Sequence, residues 1–310
     1  MSYRNVYCLL TNDVEDTSIW FNSYRDETAI KILNEGLPTL LDIYNTYNIK
    51  TTFFFTAYVA KKFPQMVKLV VNRGHEIGSH GKSHLPENGF DIMPLNKQKR
   101  HLEYSKKLLE DISGQEVISF RAPSLRVSKN TSLALIETGF KIDSSVASQR
   151  FDFFLSFGSK NKFNWLISPR LPYRVKENNI FKKGNSELIE LPLTALIFPY
   201  VGTTMRIFPR ITPLIRNLID LEAMFNEKPV IFLIHPNEFI DESDEIRIIN
   251  RRSESYINYF IKDWIRSHLK IRNLGKSAIP LYKREIEFYI KKGYRFTTIK
   301  QYCKEIGFLI

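Results

Sequence analysis

The sequence predicts an α/β fold in which parallel strands, covered by helices, close into a barrel. Three observations lead there. Short runs of apolar, β-branched and aromatic residues alternate with longer stretches of helical periodicity. Most of these runs are apolar nearly throughout, as expected of strands buried on both faces. Eight such runs in 310 residues suit a barrel better than an open sheet.

In chain order the strand runs are VYCLLT (6–11), KTTFFFTA (50–57), EIGSH (76–80), VISFRA (117–122), KIDSSV (141–146), LIELPL (188–193), VIFLIH (230–235) and RFTTI (295–299). Helical periodicity covers 28–47, 61–73, 95–113 and 128–138 between the early runs. Connections after 146 and after 235 are long. The expected organisation is therefore a single domain, 1–310, with irregular insertions near 147–187 and 241–282.

Composition narrows the class. With 43% apolar and 25% charged residues, the chain is neither disordered nor fibrous. Cys8 and Cys303 lie near opposite ends, which argues against a disulfide framework and leaves no Cys-x-x-Cys pair. The opening MSYRNVYCLLTNDVED has too short an apolar run for a secretory signal, and no stretch reaches the roughly 18 apolar residues of a membrane span. The expected location is cytoplasmic, at the cytosolic face if the chain touches a membrane. Forty-five basic residues against 33 acidic give a net charge of +12, which favours phosphates, nucleic acid or anionic lipid. The charges are scattered, so a solvated basic surface is an equal reading and nucleic-acid binding is not expected. The densest basic region, KIRNLGKSAIPLYKREIEFYIKKGYR, alternates with apolar residues as on an amphipathic helix.

Chemistry-bearing residues gather at the C-terminal ends of the strand runs: Asp13 and Glu15, His80 and His84, Arg121, Asp143, Glu190 and His235. In α/β barrels those ends converge on one face, so residues 220 positions apart can meet in one pocket. Two His and one carboxylate form a common zinc donor set that leaves positions open. On a helical turn His80 and His84 would project to one side, and on a strand Asp13 and Glu15 would share a face. One acid could then bind a metal while the other serves as base. Asp16 is expected to cap or turn the chain.

Arg121 would pair with the basic carboxylate and orient it, and Pro123 would stiffen the exit from its strand. His235 could donate a proton to a leaving group, with Asp143 as its expected hydrogen-bond partner. Pro123, Glu190 and Trp165 are the expected substrate contacts; for Trp165, in RFDFFLSFGSKNKFNWLISPRLPYR, a lid packed on the barrel is the competing reading. The apolar LTALIFPYVGTTMRIFPRITPLIRNLI reads as core plus loop, with peripheral membrane contact as its alternative.

TNDVED, GHEIGSHGKSH, FRAPS, GFKIDSS and IFLIHPNE, in this order, resemble the polysaccharide deacetylases of carbohydrate esterase family four. His80–His84 corresponds to the family's two-histidine motif, with Gly81 where many members have Thr. Arg121–Pro123 corresponds to Arg-x-Pro, with Ser124 where many have an aromatic. LIHP approximates the motif that carries the last histidine. The resemblance implies a distorted (β/α) barrel of seven or eight parallel strands with helices outside. It also implies one divalent metal, zinc by default, and hydrolytic removal of an N-acyl group, acetyl in the first instance, from an amino sugar. The spacing Asp13-Val14-Glu15 looks like the Asp-x-Glu branch, which makes Asp13 the base and Glu15 a ligand beside His80 and His84, with the swap as the alternative. The expected partner is an amino-sugar glycan, or a lipid- or nucleotide-linked saccharide. Hydrolysis of a small non-sugar C–N bond is the runner-up, and a non-catalytic carbohydrate-binding relative the third reading.

Overall fold

The computed structural model describes residues 6–150, 162–247, 256 and 259–309. The sheet is built around β1 (Tyr7–Val14), a strand buried along its whole length. Two short strands, β2 (Thr17–Ser18) and β3 (Ser23–Tyr24), form a separate ribbon after it. The later strands are β4 (Thr52–Phe55), β5 (Glu76–Ser79), β6 (Ser119–Phe120), β7 (Ile142–Asp143), β8 (Tyr173–Lys176), β9 (Asn179–Lys183), β10 (Ile189–Glu190), β11 (Val230–Ile234) and β12 (Arg295–Phe296). The order is β11-β1-β4-β5-β6-β7-β10, parallel throughout, with β12 parallel to the start of β1. Each of the eight sequence runs supplies one of these parallel strands. A hairpin, β8–β9, extends the sheet antiparallel from β10.

The ring is closed by a loop rather than by a strand, which is its distortion. Beyond β10 the chain lies beside β11: Thr194 Oγ1 accepts from Ile231 N at 2.8 Å, and Val201 bridges Leu233 in parallel. The core follows from the runs, since Phe53, Phe54 and Phe55 are all fully buried, as a strand with barrel filling on one face and helices on the other requires. Two helices begin at a threonine cap. Thr56 accepts from Val59 N ahead of the Ala57–Lys62 helix, and Thr298 from Gln301 N ahead of the Ile299–Glu305 helix.

Register sets the site. Val14 pairs with Phe55, Phe55 with Ser79, Ser79 with Phe120, Phe120 with Asp143, and Asp143 with Glu190. This single row levels the strand ends, so that Glu15, His80, Arg121 and Ser144 emerge side by side above it. On the other flank Asn12 pairs with Ile234, which brings Asp13 level with His235.

His75 belongs to the core. Its Nδ1 accepts from Thr51 N at 3.1 Å, its ring lies 5.3 Å from Phe53, and burial lowers its pKa from 6.5 to about 4. The unfolded chain therefore takes up the proton first as pH falls, and stability rises with pH between those values. Urea denaturation of the metal-free protein is expected to show stability falling from about pH 6.5 to pH 4, His75 alone contributing on the order of 3 kcal/mol. His75→Gln should flatten that dependence.

Candidate functional site

The two histidines reach the site by a turn, not by a helix. His80 directly follows β5, Gly81 adopts a left-handed backbone (φ 70°), and the chain makes no helix through His84. The rings sit 5.3 Å apart. A Cβ at position 81 would stand 3.2 Å from Phe90 and 3.4 Å from Pro123, which form the wall behind the turn. Gly81→Ala is expected to cost about 1–2 kcal/mol for the left-handed backbone alone, read by urea denaturation, and to spread the two imidazoles apart.

His80 is held by its Nδ1, which lies 2.8 Å from the Arg121 carbonyl, so Nε2 points into the site. Burial lowers the His80 pKa to about 4, leaving a neutral ring whose free nitrogen can donate a lone pair. Glu15 Oε2 lies 2.5 Å from His84 Nε2 and 4.0 Å from His80 Nε2. One donor atom from each of Glu15, His80 and His84 falls within 4.8 Å of the others. Burial opposes ionisation of Glu15, but His84, His235 and His80 together hold its carboxyl well below the usual range. Glu15 Oε2 and His80 Nε2 are buried and make no geometrically sound hydrogen bond. Orphaned polar atoms are costly in a protein interior. A cation shared by the three residues would satisfy them, and the two-imidazole, one-carboxylate set fits a divalent ion.

Asp13 stands beside this cluster, Oδ2 3.7 Å from His80 Nε2 and Oδ1 3.1 Å from Arg121 Nη1. Arg121 is fully buried and committed on every side. It donates to Thr11 Oγ1 at 2.8 Å and to Ser144 through both O and Oγ, and its guanidinium lies 4.5 Å over the Phe54 ring. It thus fixes the Asp13 carboxylate while leaving Oδ2 to the site.

His235 faces the cluster from β11, 22% of its side chain exposed. Its Nδ1 lies 3.1 Å from Glu238 Oε1, and Arg206 Nε donates to Glu238 Oε2 at 2.5 Å. Arg206 is tied in turn to the Lys270 and Arg272 carbonyls, both at 2.7 Å. Burial works against both charged forms, yet Arg206 and His235 hold the Glu238 pKa at about 2, and Glu238 with Glu15 and Asp13 raises that of His235. Gly202 permits this arrangement, since a Cβ there would sit 2.5 Å from Glu238 Oε1.

Glu238 therefore replaces Asp143 as the partner of His235. Asp143 Oδ1 accepts instead from Ser145 Oγ at 2.5 Å, and Asp143 lies beside Glu190 across the β7–β10 pair. Burial pushes both of these carboxyls above the usual range, with Arg121 opposing. The Glu238 signal was present in HPNE: Pro at the first position of a turn and an acid three residues after His235, the spacing of a capping box.

A cleft of about 290 Å³ opens over the cluster, and Asp13, Glu15, His84 and His235 all reach its surface. Ser124 and Leu125, in consecutive left-handed conformations (φ 54° and 56°), form part of its wall. Glu190 and Trp165 are fully buried away from this surface, which corrects their expected place as substrate contacts. Pro123 is also buried and acts on the histidine turn rather than on the cleft. Asp16 borders a second hollow beside Tyr24, Tyr58 and His84, and burial raises its pKa to about 6.

Residues 19–142 match the family model for polysaccharide deacetylases, a span that includes His80, His84 and Arg121. A peptidoglycan deacetylase of Helicobacter pylori is 30% identical over 141 residues, 43% of this chain and 47% of that protein. A peptidoglycan-N-acetylglucosamine deacetylase of Bacillus cereus is 46% identical over 50 residues, 16% of this chain and 18% of that one. The alignment with the Helicobacter protein thus spans about half its length. Among solved structures, PuuE allantoinase superposes with a TM-score of 0.61 at 15% identity, covering 96% of this chain and 88% of its own. A probable polysaccharide deacetylase from Pseudomonas aeruginosa gives 0.58 at 15% identity, with 96% and 89% covered. At such identities these two show a shared fold. Motif order and family match agree over residues 19–142, which carry a match to the polysaccharide deacetylase domain, and the barrel is the fold of the two superposed structures.

Proposed function

We propose that this chain is a metal-dependent hydrolase that removes the N-acetyl group of an amino sugar. The observation that carries this reading is the Glu15–His80–His84 cluster, one donor atom of each within 4.8 Å of the others, beneath a cleft that Glu15, His84, Asp13 and His235 reach. Glu15, His80 and His84 would hold one divalent ion, zinc being the default for such donors. Bound there, the ion supplies Lewis-acid polarisation of the amide carbonyl and acidification of water.

The chain's own residues do the rest. Asp13, aimed by Arg121, accepts the proton of the attacking water on Oδ2. His235, whose charged form Glu238 favours, gives its Nε2 proton to the amine as the C–N bond breaks. The apolar walls Leu125, Leu193 and Leu233 limit the water around these charges, which strengthens each interaction. The single-domain organisation over residues 1–310 is part of this reading.

Two measurements test it. Isothermal titration of metal-stripped protein with zinc is expected to give one site, weakened at least about tenfold in His80→Ala and Glu15→Ala. Acetate release from N-acetyl chito-oligosaccharides should follow metal occupancy. One-site binding that persists unchanged in both variants rejects the ligand set.

A further inference from the structure

The helix Thr212–Asn226 is apolar on two opposite faces. Ile219 and Ala223 pack inward, whereas Leu214, Leu218, Leu221 and Phe225 stand outward, 54% exposed at Leu221 and 83% at Phe225. Their spacing of four, three and four residues makes one continuous stripe. The helix's two acids do not interrupt it. Glu222 is clamped by Arg170 and Lys228, and Asp220 by Lys292 and Tyr294.

The helix is tied to the cleft rim. Arg170 binds Glu222 on the helix and the Ala195 carbonyl at 3.0 Å, at the base of the Ala195–Pro199 turn. That turn carries Ile197 at its tip, 63% exposed, and Phe198, which lines the cleft. Phe198 meets Phe208 on the same cleft wall, and Phe208 leads into the helix. Beyond the apolar wall the cleft is bordered by the cations Arg150, Arg266 and Lys270.

We propose that the Thr212–Asn226 helix and the Ala195–Pro199 turn seat on an anionic lipid surface, and that the cleft takes an amino sugar carried on a lipid through phosphate. This rests on the deacetylase reading for the sugar, but not for the surface. Charge complementarity argues for lipid as the occupant. The chain carries +12, the helix's acids are neutralised, and the apolar band leads into a cleft edged by cations suited to a phosphate linkage.

The test is sedimentation of the full chain with vesicles of phosphatidylcholine alone and of phosphatidylcholine mixed with phosphatidylglycerol. The wild type is expected to co-sediment with the mixed vesicles. Leu218→Glu/Phe225→Glu should lose at least about tenfold of that binding, with unchanged circular dichroism and an unchanged rate on soluble N-acetyl chito-oligosaccharide. If that variant misfolds, Leu214→Ser/Leu221→Ser provides the same comparison.

Equal binding by folded wild type and variant overturns the proposal. So does a wild-type dimer that the variant converts to monomers without vesicle binding, because the stripe is then a contact between copies. Acetate release from vesicles bearing a polyprenyl-phosphate N-acetylglucosamine should fall in the variant; release equal in both overturns the lipid-carried substrate. Vesicle binding with no deacetylation of any substrate rejects the deacetylase reading and leaves the docking surface standing.

Discussion

Asp13→Asn is expected to lower kcat on an N-acetylated amino sugar by about 10²–10⁴-fold, with KM changed little and zinc still bound. The carboxylate is fixed at one oxygen by Arg121, and its other oxygen lies 3.7 Å from His80 Nε2, beside the ligand cluster. Asparagine keeps an oxygen for the guanidinium but no basic oxygen for the proton. Arg121 also retains Thr11 and Ser144, so the protein should stay folded. Zinc titration and steady-state kinetics on one preparation decide the matter. If Asp13→Asn loses metal while Glu15→Gln keeps it, the roles of base and ligand are exchanged.

Glu238→Gln should produce the largest loss of stability together with a shifted pH profile. Arg206 and Glu238 are both fully buried, and neutralising one partner leaves the other charge uncompensated, at a cost of about 3–5 kcal/mol. The stability from Glu238 ionisation is present above its unfolded pKa of 4.5 and is lost as pH falls toward about 2. Arg206→Met/Glu238→Gln, which removes both charges, should regain much of the stability in a urea melt. Neither variant restores the anion behind His235. Because Glu238 helps to raise the His235 pKa, the fall in kcat/KM at high pH should begin at lower pH in both. A profile unchanged in the double variant assigns Glu238 to folding alone.

The strands were legible because each is a short apolar run, six of the eight with a chemistry-bearing residue at the end. Their lengths were not. VISFRA and KIDSSV contribute only Ser119–Phe120 and Ile142–Asp143, since pairing in a distorted barrel lasts only as long as neighbouring strands stay level. The β8–β9 hairpin escaped notice although YRVK alternates buried and less buried positions and Glu177-Asn178 makes a turn. The Thr212–Asn226 helix was obscured because apolar residues on two faces blur a 3.6-residue period. At the site, Asp13, Glu15, His80, His84, Arg121 and His235 were found at strand ends. Asp143 was matched with His235 on the same logic, which cannot register that strand ends lie around a ring, with β7 and β11 separated by four strands on one side. A local turn supplied the partner instead.

The register of β1 also orders the site in time. Glu15, His80 and His84 come from β1 and β5, separated only by β4, and all are present once the first 84 residues have been made. His235 and Glu238 arrive much later, on β11, which must insert along the opposite edge of β1. During synthesis from the N-terminus the ion-holding half is thus complete long before the proton donor. A nascent or truncated chain could capture metal without attacking a glycan, so cleavage awaits the last parallel strand to join β1's far edge.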